Sequence, residues 1–124
     1  MNWSMTGAIL LAVAVILGAF GAHVLHARMD TYARGVYEKA VLYHFIHALG
    51  ILLVSILPKT GTFPSASAGT VCTALLVGIV FFSGSLYLLA ATGQRWLGAI
   101  TPVGGVAFIV GWLLLAWHLR RPGS

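Results

Sequence analysis

The chain has 124 residues, of which 60% are apolar and 7% charged, and its mean hydropathy is +0.98. An average soluble domain carries roughly 25% charge, so a water-soluble globule is excluded. The formal charge of +5 comes from seven Lys and Arg scattered over the ends of apolar runs. Basic side chains there meet lipid phosphates rather than nucleic acid.

Four runs contain no Lys, Arg, Asp or Glu: Met5–Leu25, Ala40–Leu57, Ala66–Ala91 and Val103–Leu119. An uncharged apolar run of about 18 residues crosses the hydrocarbon of a bilayer as a helix. The expected fold is all-α, an integral membrane bundle of four transmembrane helices with short loops, in one domain over 1–124. The expected spans are 5–26, 38–57, 66–92 and 102–119.

The N-terminus lacks the basic residues of a signal peptide, and the first run is long for one. It is read as a retained span, capped by Ser4 or Thr6. Ala14, Gly18 and Ala22 form a small-residue ridge widened by Gly21, and such ridges let helices approach closely in lipid. Arg28 to Lys39 is the longest polar segment and reads as an interfacial prelude to the second span. Asp30 or Thr31 caps its helix, and Tyr32 and Tyr37 fit the headgroup layer. Pro58 to Pro64 forms a loop, after which Ser65 or Ser67 caps the third span. Gly93 ends that span. Thr101-Pro102 opens the fourth, about 27 Å long at 1.5 Å per residue. Trp117, His118, Arg120 and Arg121 anchor its end. The single cysteine, Cys72, is read as a packing residue.

Several strings are distinctive in combination. They are Gly18-Ala19-Phe20-Gly21-Ala22-His23; Tyr43-His44-Phe45-Ile46-His47-Ala48-Leu49; Phe82-Ser83-Gly84-Ser85-Leu86-Tyr87-Leu88; and Leu97-Gly98-Ala99-Ile100-Thr101-Pro102-Val103-Gly104-Gly105 followed by Gly111-Trp112. Their order and spacing resemble the YgdD-like family of small bacterial inner-membrane proteins, which has a eukaryotic transmembrane relative. The resemblance covers nearly the whole chain. It implies a multi-pass protein of the bacterial inner membrane, and it implies no reaction, because the family is a domain of unknown function. Where that family often has Tyr-Gln in the second helix, this chain has Tyr43-His44.

Ionisable groups inside a bilayer are costly and point to function. His23 and His26 share one helical face, as do His44 and His47. If the first hairpin is centred near Ala33, His23 and His44 lie at equal depth below Glu38. The candidate buried polar cluster is therefore His23, His44, His47, Tyr43, Glu38, Ser83, Ser85 and Tyr87. Candidate packing residues are Ala14, Gly18, Gly21, Ala22, Gly84, Gly104 and Gly105. A second hairpin centred near Arg95 brings Ser83-Gly84-Ser85 close to Gly104-Gly105.

Three readings of the cluster remain open. The histidines and hydroxyls bond across helices and fix their arrangement. Alternatively, paired imidazoles ligate a metal or haem. The third reading is a path for protons or substrate through His and Glu38. No catalytic set is recognisable, since Ser83 and Ser85 sit on no nucleophile elbow. The leading expectation is a non-enzymatic membrane component without a metal or cofactor. Its expected partners are lipid and either further copies of itself or a larger membrane complex.

Overall fold

The computed structural model describes residues 2–120, apart from the side chain of Ala22. Arg121 and the Ala22 contact face therefore lie outside the described part. Four helical spans fill the chain: Trp3–Arg28, Thr31–Thr60, Ser65–Thr92 and Arg95–Leu119. Each is long and apolar enough to cross a membrane. Every peptide group in lipid needs a partner within the protein, and helices supply one locally. The fold is thus an all-helical membrane bundle.

The spans run up and down, and each packs on its neighbours in sequence. Asn2 rather than Ser4 or Thr6 caps the first span, its side chain accepting from the Met5 amide at 3.0 Å. Asp30 caps the second by accepting from Ala33 N at 2.8 Å. The third span starts from Pro64 without a side-chain cap, so neither Ser65 nor Ser67 has that role. Gly93 ends it in the left-handed region (φ 73°), where a side chain would be strained.

The first hairpin corrects the expected register. Ser4 bonds Ser55, Gly7 meets Leu52 and Gly18 meets Val41. These pairs are symmetric about Met29–Asp30 rather than Ala33. The second helix starts at Thr31 and carries Arg34, Glu38 and Lys39 on its own first turns. The polar segment is therefore the top of the span rather than a prelude to it. His44 consequently lies level with Val15, about 12 Å deeper than His23 at 1.5 Å per residue.

Two π-helical turns interrupt the bundle, at Ile16–Gly21 in the first span and at Ile79–Ser83 in the third. A π turn adds one residue to the helix and upsets the local ladder of backbone bonds. The core lies between the second and third spans, around Ile51, Val54, Val71, Cys72 and Leu75. The first span is peripheral: only 6% of its apolar window is buried, against 39% and 44% in the second and third.

Candidate functional site

The second span builds the site. Tyr37, Ala40, His44, His47, Ala48, Ile51 and Val54 are buried, and they recur at helical spacing along one stripe. Two histidines thus face the interior of a membrane protein. Lipid offers a buried imidazole no hydrogen bonds, so its partners must come from the protein.

His44 Nδ1 lies 2.8 Å from the Tyr87 hydroxyl on the third span. Its other nitrogen, Nε2, is buried with no hydrogen-bond partner. The Leu10 backbone carbonyl of the first span is nearby, yet no bond of normal geometry reaches it. His47 Nδ1 donates to the Tyr43 carbonyl at 2.7 Å, one turn back on its own helix. Its ring stacks on Phe108 of the fourth span, with centroids 3.5 Å apart and planes 13° from parallel.

The remaining polar groups stitch the spans together. Tyr37 donates its hydroxyl to the Leu17 carbonyl, inside the π turn of the first span. Gly21 makes room for that hydroxyl, since a Cβ there would lie 2.5 Å from it. The Tyr37 ring meets Tyr87 edge-on at 5.5 Å. Ser83 Oγ, within the second π turn, donates to the Ala40 carbonyl at 2.8 Å. Ser85 donates to the Phe82 carbonyl at 2.9 Å and shares a 2.6 Å bond with Thr101 of the fourth span. Both π turns are therefore tied to the second span by one hydroxyl each.

The expected cluster is only partly assembled. His44, His47, Ser83, Ser85 and Tyr87 lie in the interior or at its edge, whereas His23 and Glu38 are exposed. The first span contacts the second through Gly7, Ala14, Gly18 and Gly21. At about 100° per residue, His23 falls on the far side of that stripe. It lines an open groove with His26. Glu38 follows Tyr37 by one residue and is turned outward for the same reason. It borders a shallow groove of about 260 Å³ with Val41, Leu42 and Phe45. Tyr43 is 37% exposed and covers the seam between Phe82 and His47 rather than lying inside it.

The expected packing residues divide as well. Ala14, Gly18, Gly21 and Gly104 sit at close contacts, and Gly104 lies directly against the Phe82 backbone. Gly105 makes ordinary contact with the Phe82 ring, and Gly84 lies at the margin of contact with the Ile79 carbonyl of its own helix. Tyr37 is buried between spans rather than facing lipid headgroups from the surface, and its place in the stripe that runs through Ala40 and His44 is the signal for that. Gly7, Gly50, Gly78 and Gly111 are tight contacts that sequence reasoning missed. Among the described residues, no three His, Cys, Asp or Glu side chains converge as metal ligands would.

The relatives of the chain are membrane proteins. It is 50% identical over 109 residues to a UPF0382 membrane protein of Staphylococcus saprophyticus, covering 88% of each. It is 46% identical over 112 residues to a UPF0382 membrane protein of Bacillus subtilis, again covering 88% of each. A counterpart in Staphylococcus aureus is 42% identical over 109 residues, which is 88% of this chain and 87% of that one. No solved structure matches the chain. Residues 17–105, from the first π turn into the fourth span, match a family described as a protein of unknown function (DUF423), and the chain belongs to that family.

Proposed function

We propose that this chain is a non-enzymatic accessory component of the bacterial inner (plasma) membrane, working as an assembled unit with further copies of itself or with a larger membrane complex. The YgdD-like grouping, with its eukaryotic relative, is the finer placement that the sequence strings favour. The observation that carries the reading is how the interior polar groups are used. Ser4–Ser55, Tyr37–Leu17, His44–Tyr87, Ser83–Ala40 and Ser85–Thr101 each join two neighbouring spans. Such bonds specify helix arrangement. Gly18 is used in the seam within the chain, so a Gly18→Leu change tests folding rather than assembly. Assembly is read directly from the native membrane. Polymer-excised discs examined by native mass spectrometry are expected to release the 13.1 kDa chain together with a second copy or another subunit. Release of single chains alone would sink the reading.

One observation favours a second reading, a proton-responsive or proton-carrying role: the buried, unpartnered Nε2 of His44, on a ring whose Nδ1 meets the Tyr87 hydroxyl. This reading expects His44→Gln to abolish pH-driven flux in proteoliposomes. Flux that persists in that variant removes it.

A further inference from the structure

The turns of the two hairpins lie at the same end of the bundle and face each other. Between them is a cavity of about 370 Å³ lined by Arg28, Asp30, Tyr32, Ala33, Leu89, Ala90, Ala91, Thr92, Gly93 and Arg95. Its two walls differ in chemistry. The rim holds two guanidiniums, Arg28 from the first turn and Arg95 from the second. Its apolar lining comes from buried Leu89 and Ala90 and exposed Ala91 at the end of the third span, which serve as its floor.

Three charged groups at or near the cavity are engaged within the chain. The Asp30 carboxylate is turned onto its own helix, capping Ala33 N at 2.8 Å. Arg34 is engaged elsewhere, donating through two nitrogens to the His26 carbonyl at 2.8 and 3.1 Å. Arg95 Cζ lies over the Tyr32 ring, 4.3 Å from its centroid. Stacking of this kind fixes the guanidinium plane while leaving its edge N–H donors free. The rim also includes the first turn of the 26-residue helix that begins at Thr31, and the positive end of that helix dipole favours an anion.

We propose that this cavity is a binding site for the phosphate headgroup of an anionic phospholipid. Arg28 and Arg95 hold the phosphate between the hairpin turns, and the Leu89–Ala91 floor passes the acyl chains into the surrounding lipid. A guanidinium presents paired donors that match phosphate oxygens. The apolar floor selects an amphiphile over a free ion. By joining the two turns from outside, the lipid links the first hairpin to the second.

The test uses the full chain in discs of equal phosphatidylglycerol and phosphatidylcholine. After release into detergent, native mass spectrometry reads which lipid is retained. Retention of phosphatidylglycerol over phosphatidylcholine is expected. The double change Arg28→Gln with Arg95→Gln is expected to lower it about thirtyfold, roughly fivefold for each arginine. Lys59→Gln, at the opposite end of the bundle, is expected to leave it unchanged. Ala91→Trp keeps both arginines and fills the floor, so it guards against a folding artefact, and it is expected to lower retention as well. Inorganic phosphate in excess is expected not to displace the lipid. Equal retention of the two lipids overturns the proposal. So does retention that survives the double change, or displacement of the lipid by inorganic phosphate.

Discussion

The two hairpins solve the same packing problem with different means. In the second, glycines receive large side chains: Gly78 lies under the Phe108 ring, Gly111 against Leu75, and Gly104 against the Phe82 backbone. In the first, a run of small residues, Gly7, Ala14 and Gly18, is closed at its ends by hydroxyls. Ser4 meets Ser55 at 2.8 Å, and Tyr37 reaches the Leu17 carbonyl. Lipid is as apolar as the side chains, so contact area and polar bonds hold helices together there. The third span has neighbours on two sides, and its π turn buries Ile79 and Ser83. The π turn of the first span buries no residue. The first span is therefore the more detachable element, and Tyr37 is the residue that limits this.

The largest expected effect falls on the second hairpin. Gly78→Leu places a side chain where the Phe108 ring lies, and overpacking of this kind costs about 3 kcal/mol or more. It should lower the detergent-unfolding midpoint sharply, and Phe108→Ala in the same chain should recover part of the loss. Without that recovery, glycine-to-ring packing is not what holds the hairpin. Tyr37→Phe comes next, with a local cost of about 1–3 kcal/mol from the carbonyl left unpaired. Amide exchange should quicken over Leu17–Gly21 and stay unchanged in the third and fourth spans. Uniform quickening would erase the distinction between the hairpins. Ser83→Ala removes the matching bond in a packed surrounding, and about 0.6 kcal/mol is expected, the average for such bonds in membranes. A loss equal to that of Tyr37→Phe would show that burial of the π turn gives no protection. His23→Ala and Glu38→Gln should leave the unfolding midpoint where it was, because both side chains face outward. A clear drop would place one of them inside the seam.

The spans themselves could be read from the uncharged runs, because lipid tolerates few other solutions. The proximity of the Ser83–Ser85 segment to Gly104 also followed from hairpin symmetry, although the pairs Phe82–Gly104, Ser85–Thr101 and Gly78–Phe108 centre on Gly93 rather than Arg95. The register of the first hairpin did not. The Asp30 cap did mark where the helix through Arg34, Glu38 and Lys39 begins, but the expected hairpin is centred near Ala33 instead of at that cap. Asp30 was the usable signal. Placing the turn there moves His23 away from His44 and brings Tyr37 into the interior. The π turns left no composition signal, since Ile16–Gly21 and Ile79–Ser83 resemble any apolar helix. The orphaned His44 nitrogen depends on geometry between three spans and could not be read from spacing in one.

The helix over Thr31–Ile56 has 26 residues and is about 39 Å long at 1.5 Å per residue. The hydrocarbon it crosses is about 30 Å thick. Its surplus bears Arg34, Glu38 and Lys39, so it emerges at the hairpin-turn end instead of being absorbed by tilt alone. With its headgroups the bilayer is about 40–45 Å thick, so the charged end of this helix stops among the headgroups rather than in open water. A partner arriving from water on that side meets these charges at the depth of the lipid phosphates.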